Sequence, residues 1–227
     1  MLETLVQGVL LGGLYTLFAL GQSLMFGVMR LTNTAQGDFI ILGAFAVIAG
    51  VSLTGDAVAP WLVALAVLPV AFGFGYALQR YVLNGTLGKD PLPSLVVTFG
   101  LSIVIQNLLL ELFSADPRAI DTGGLSTQGI ALGGAMSVGV LPLVVLAIAL
   151  VATGALQWLF ARTALGRSFR AVSDDREIAE LMGLNAKKVY AFATAIAFVL
   201  IAVAGALQGM RTTVSPSDGP PLLLFAF

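Results

Sequence analysis

The sequence predicts an all-α membrane protein, a polytopic helical bundle of about six spans with its N-terminus outside. Three observations carry this prediction. The 227-residue chain is 58% hydrophobic and 10% charged, with mean hydropathy +0.99, whereas a soluble domain typically carries about 25% charge. Its apolar residues fall into runs close to the ~20 needed to cross a bilayer as a helix. Its cations cluster in alternate connections between those runs, as in a chain of fixed membrane orientation.

Composition also removes several classes of function. The chain has no Cys and no His, so disulfides, thiolate metal sites, cysteine nucleophiles and the commonest neutral-pH general base are all absent. A net charge of −1 gives no electrostatic basis for binding nucleic acid. The opening MLETLVQG carries an acid and no Lys or Arg, unlike the basic start of a secretory leader, so the first apolar run reads as a retained span.

The first span is expected over Thr4–Met29, uncharged throughout and closed by Arg30. Gly8, Gly12, Gly13 and Gly21 suit close helix approach or simply loosen the helix. The polar stretch from Arg30 to Asp38 then leads into an apolar run, Phe39–Leu53. That run crosses the membrane only if its helix begins near Gln36 or Asp38, which places Asp38 at or just inside the membrane edge. Two roles stand for Asp38: stabilising a helix N-terminus through the dipole, or lining a pathway.

Trp61–Gln79 forms the third span, with Trp61 an interfacial anchor, Pro69 a kink and Arg80 the stop. Asn84–Pro93 reads as a loop from its Gly, Pro, Asn and Asp content. The fourth span, Ser94–Phe113, contains Thr98, Ser102, Gln106, Asn107 and Glu111. Thr98, Ser102 and Gln106 recur at i, i+4, i+8 on one face; they either join helices or line a wet cavity, since lipid offers them no partner. Ser114–Ser137 reads as a long exposed loop and Val138–Phe160 as the fifth span, with Pro142 in its first turn. Val189–Met210 is the sixth, carrying Gly205 and Gly209 at the four-residue spacing of helix packing. The tail after Arg211 stops inside a fresh apolar run that follows Gly219-Pro-Pro.

Between the last two spans lies a polar island, Arg162–Lys188, holding Arg162, Arg167, Arg170, Arg176, Lys187 and Lys188 among its charges. With the N-terminus outside, the island, Arg30, Arg80 and Lys89 all fall on one side, nine cations against Arg118 and Arg211 on the other. The nine mark the cytoplasm. Within the island, Asp174 is the expected N-cap of a helix over Asp175–Met182, with Glu177 completing a capping box and Gly183 supplying the left-handed stop. A helix of about eight residues is not stable alone in water. It needs a surface to pack on: the membrane, the protein's own loops, or the groove of a partner.

The segment Glu177-Ile-Ala179-Glu-Leu-Met-Gly183 resembles the E-A-A-x-x-x-G loop of ABC importer permeases, with Ile178 in place of the first alanine. More broadly, four blocks are similar to branched-chain amino acid permeases of the LivH type. They are Gly12–Phe45, Lys89–Leu110, Thr163–Gly209 and Val214–Phe227, in the family's order. Gln36 stands where that family often has His.

The resemblance implies a transmembrane subunit in the bacterial inner membrane, importing branched-chain amino acids. The implied partners are two ABC ATPase subunits, a second homologous permease and a periplasmic or lipid-anchored binding protein. Relatives of similar sequence carry urea or short amides, the alternative cargo. An ion-coupled secondary transporter is the rival of a different class. The chain carries no phosphate-binding loop of its own, so it is expected not to be an enzyme; no cofactor or metal is expected, and ATP hydrolysis falls to the partners. Full-length relatives have about eight spans, so residues 1–227 are expected to be a single permease domain, incomplete at the C-terminus, with a coupling loop at 162–188. Arg170, Asp174, Glu177, Ala179 and Gly183 are the ATPase-coupling candidates. Arg170, Asp174 and Glu177 share a face if the short helix extends backward past its cap. Asn33, Gln36, Gly37, Asp38, Thr98, Gln106 and Asn107 are the substrate-pathway candidates.

Overall fold

A computed structural model describes residues 2–55, 57–87, 92–124, 128–131 and 137–226. Six helices among them are long and apolar enough to cross a membrane: α1 (Leu2–Met29), α2 (Gln36–Leu53), α3 (Pro60–Tyr81), α4 (Leu92–Phe113), α5 (Val140–Arg162) and α8 (Ala186–Arg211). Two shorter helices, α6 (Ala164–Asp174) and α7 (Arg176–Leu181), fill the island, and α9 (Gly219–Ala226) follows the last span. The chain is therefore an all-α, multi-pass membrane protein. Lys89 and Phe227 lie outside the described residues.

Helix α8 is the axis of the bundle. It packs on α3, α1 and α2, and its buried face is built mostly from alanine, with Ala193, Ala197 and Ala204 fully enclosed. Small side chains let backbones approach, which is where packing energy between helices in lipid originates. At Gly205 the approach is closest, since a Cβ there would run into the Ile40 carbonyl and the Ala44 nitrogen, both backbone atoms of α2. Larger side chains fill the wider gaps. Phe39 and Phe198 meet edge-on at 4.6 Å, and Phe74 of α3 closes on Phe198 at 5.7 Å.

Three expectations change. The stretch between α4 and α5 is not simply an exposed loop: strands β1 (Gly129–Ala131) and β2 (Ser137–Gly139) form an antiparallel hairpin. Arg118 bridges Val214, and the Ile120 amide donates to the Gly209 carbonyl at 2.9 Å, so this connection straps the C-terminal end of α8. Val138 accordingly belongs to β2, and α5 begins at Val140. The last span starts earlier than its apolar run, because Asn185 caps it by accepting from the Lys188 amide at 3.0 Å; Lys187 and Lys188 lie in its first turn.

The third change is the depth of α2. The Gln36 amide donates to the Phe18 carbonyl, eleven residues before the end of α1, or about 16 Å at 1.5 Å per residue. Asp38 thus lies well inside the bundle, away from the end of α1. After Arg30, which turns the chain with φ 52°, residues 31–35 climb back into the bundle as non-helical backbone. Such backbone survives at membrane depth only when protein covers it and satisfies it. Leu31, Asn33 and Ala35 are buried. The Asn33 side chain accepts from the Ala35 amide at 3.1 Å, and the Thr98 hydroxyl from the Thr34 amide at 3.3 Å.

Candidate functional site

In the polar island, Thr163 starts α6 by accepting from the Gly166 amide at 3.0 Å. Gly166, Phe169 and Val172 recur every three residues and turn inward, with Phe169 tilted against Phe160 at 5.6 Å. The Ser173 hydroxyl donates to the Gly27 carbonyl at 2.6 Å, and the Arg170 guanidinium donates to the Phe160 carbonyl. Helix α6 is thereby fastened to the ends of both α1 and α5.

The cap of the short helix is Asp175, not Asp174. Asp175 has extended backbone and its carboxylate accepts from the Ile178 amide at 3.0 Å. Asp174 instead closes α6. The break between the helices means that Arg170, Asp174 and Glu177 do not share one continuous helical face, and Glu177, in the second position after the cap, forms no capping box. At the other end the stop is as expected. Gly183 has φ 87°; its amide reaches the Glu180 carbonyl and the Leu184 amide the Ala179 carbonyl, both at 3.0 Å, the Schellman pattern.

Helix α7 buries only Ala179. Ile178, Leu181 and Met182 are 59%, 86% and 81% exposed, an apolar tip held away from the spans. Beside it, Arg30, Asp174, Arg176, Glu177, Glu180 and Tyr190 line a polar cleft between α7 and the end of α1. The Arg176–Glu180 pair at 3.1 Å, exposed on both sides, adds only about 0.3–0.5 kcal/mol.

A chain of side chains that the sequence reading missed ties this cap to the spans. The buried Thr194 hydroxyl donates to Gln79 Oε1 at 2.7 Å, Gln79 Nε2 to Asn84 Oδ1 at 3.1 Å, and Asn84 Nδ2 to the Lys187 carbonyl at 3.3 Å. Gln79 had been read only as the end of a span. Its signal was faint: a lone amide two residues short of the helix end.

Inside the membrane, the start of α2 gathers polar groups from α1 and α4. Asp38 is 2% exposed and accepts from Gln106 Nε2 at 2.9 Å, which also lies 3.2 Å from the Ser102 hydroxyl. The Thr34 and Thr98 hydroxyls pair at 2.8 Å. Gly37 packs so closely on Gly219 of α9 that a Cβ on either would strike the other's helix. Asn33, Gln36, Gly37, Asp38, Thr98 and Gln106 therefore come together. Asn107 does not; it is exposed and its amide donates to the Ile103 carbonyl of its own helix at 2.7 Å. Gln22 was also missed, although it is a lone amide in an uncharged span. It is 4% exposed, and neither its oxygen and nitrogen nor Gln36 Oε1 has a protein hydrogen-bond partner. Among the described residues no cluster of acids could hold a metal.

The family model described as the branched-chain amino acid transport system permease component matches residues 4–227. The high-affinity branched-chain amino acid transport system permease protein BraD of Pseudomonas aeruginosa is 26% identical over 233 residues, 96% of this chain and 74% of its own length. LivH of Escherichia coli, named as a permease protein of the same kind of system, is 26% identical over 216 residues, 92% of this chain and 70% of its own. The fructose import permease protein FrcC of Rhizobium meliloti is 31% identical over 161 residues, 67% of this chain and 43% of its own. No solved structure matches. With the match running over nearly every residue, the chain belongs to the branched-chain amino acid transport system permease family.

Proposed function

We propose that the chain is the transmembrane permease subunit of an ATP-driven ABC importer that carries branched-chain amino acids across the bacterial inner membrane. The observation that carries the coupling part of this reading is α7: a helix stopped at both ends, with Ile178, Leu181 and Met182 facing out and only Ala179 tucked in. A six-residue helix has no stability of its own. An apolar tip on the cytoplasmic face fits a groove on an ATPase subunit. The cargo is supported by the names of the relatives.

In this reading two ATPase subunits hydrolyse ATP, a second homologous permease completes the pathway, and an external binding protein, periplasmic or lipid-anchored, delivers the substrate. Residues 1–227 act as one permease domain, with 162–188 as its coupling loop. Glu177 and Asp174 offer charge to the ATPase, Ala179 and Gly183 set the shape of α7, and Arg170 holds α6 to α5. ATPase closure displaces α7 as a rigid piece; α6 passes the displacement to α1 and α5, and the Gln79–Thr194 strap passes it to α3 and α8. Asn33, Gln36, Gly37, Asp38, Thr98 and Gln106 line the pathway, while Asn107, turned to the outer face of α4, is left out.

Glu177→Lys and Gly183→Pro are expected to abolish co-purification of the ATPases while leaving membrane insertion intact. Normal co-purification with both variants refutes the coupling role. Uptake that collapses with a protonophore yet survives ATP depletion would replace this reading with an ion-coupled one.

A further inference from the structure

The most exceptional group in the membrane interior is the Asp38 carboxyl. It is buried between α2, α4 and the start of α9 and is met by uncharged donors, Gln106 Nε2 among them. No Lys or Arg nitrogen of the described residues lies within 4 Å of it; the one ion pair among them is Arg176–Glu180 on the cytoplasmic face. Helices α2, α4 and α9 carry no Lys or Arg at all. Asp38 does lie in the first turn of α2, where the helix dipole supplies roughly half a positive charge. That offset is partial, so an ionised carboxylate here rests on the dipole and on neutral donors, and a cationic partner would complete it.

We propose that Asp38 is the subsite for the α-ammonium group of a zwitterionic aliphatic amino acid, a deepening that rests on the importer reading above. Four features favour an organic monocation. Among the described residues no group of three or more acids could hold a metal ion. The flanking residues Phe39, Ile40 and Ile41 are apolar and buried, as an aliphatic tail requires. Ser102 sits one turn from Gln106 on the same face of α4, offering a hydroxyl donor to the ligand's own carboxylate. Finally, the cover is movable: α4 finds its main packing partner in α2, and Gln106 is half-exposed. Swinging α4 outward lifts Gln106 and Ser102 off the carboxylate, and the ammonium takes their place. When the ligand leaves, the amide returns. The site thus exchanges one hydrogen-bonded partner for another and leaves the carboxylate paired in both states.

The test uses the assembled transporter in proteoliposomes with external binding protein and radiolabelled leucine. Asp38→Asn keeps the shape and a bond to Gln106 but removes the charge. Leucine uptake is expected to fall by about 30-fold or more, the cost of losing one partner of a buried charge pair, with ATPase co-purification unchanged and partial uptake restored in Asp38→Glu. Wild-type uptake by Asp38→Asn overturns the proposal. Should Asp38→Asn fail to assemble, the wild-type complex decides. Leucine should protect Asp38 from dicyclohexylcarbodiimide, and 4-methylpentanoate, the same skeleton without the ammonium, should not. Equal protection by both, or by neither, overturns it. A wild-type transporter that imports no leucine with ATP removes the importer reading itself, an outcome distinct from either.

Discussion

Replacing Asp175 by alanine should loosen α7 while leaving every span untouched. The side chain's one structural bond is to the Ile178 amide at 3.0 Å, and it is exposed, so its removal leaves no cavity. Loss of an N-cap costs about 1 kcal/mol, and a helix of six residues has little else to hold its first turn. One kcal/mol corresponds to about a fivefold change in the ratio of ordered to frayed helix. Amide hydrogen exchange over residues 177–183, measured by mass spectrometry on the permease purified away from its ATPases, should therefore quicken about fivefold in Asp175→Ala. Asp175→Asn, which retains a capping oxygen, should stay near wild type. Asp174→Ala should be neutral, because an acid in the last turn of α6 gains nothing from the dipole there. Unchanged exchange in Asp175→Ala, or equal acceleration in Asp174→Ala, would refute the assignment of the cap.

Two further substitutions probe the bundle. Gly205→Leu must drive a side chain into the Ile40 carbonyl and Ala44 nitrogen; a shift of α2 is required, so the thermal midpoint of the purified permease should fall by several degrees and the folded yield with it. A midpoint equal to wild type would mean that the two helices do not meet at this glycine. Thr194→Val leaves Gln79 Oε1 buried without its hydroxyl donor, a loss of about 1–3 kcal/mol. Thr194→Val combined with Gln79→Leu should recover part of that loss in a double-mutant cycle. Simple additivity of the two would deny that they bond.

Most of the spans could be read from the sequence because bilayer thickness fixes helix length and the apolar runs are nearly unbroken. Boundaries moved where a polar side chain rather than hydrophobicity set them, as at Asn185, which begins α8 three residues ahead of its apolar run. The short helix was legible from Gly183, whose left-handed backbone has few alternatives. Its cap was displaced by one residue because Asp174 and Asp175 are equally good caps in isolation; the choice was made by α6, which docks Phe169 and Val172 and ends only after Asp174. The polar belt was half legible. Thr98, Ser102 and Gln106 announce a common face by their spacing, whereas the bond between Asp38 and Gln106 joins residues 68 positions apart and rests on the depth at which α2 begins. That depth follows from coverage of residues 31–35 by other helices, which no local pattern encodes.

The inward climb after Arg30 also bears on how the protein is made. Helix α2 reaches its close seat against α8 through Gly43 and Gly205, yet the first residue of α8 is synthesised 133 positions after Leu53. At ribosomal rates of about 5–20 residues per second, that is a wait of roughly seven to twenty-seven seconds. During it, Asn33, Gln36 and Asp38 lie in or beside the membrane without the helix that completes their enclosure. Assembly of this chain is therefore a matter of timing as much as of hydrophobicity, and α8 acts as the latch that ends the delay.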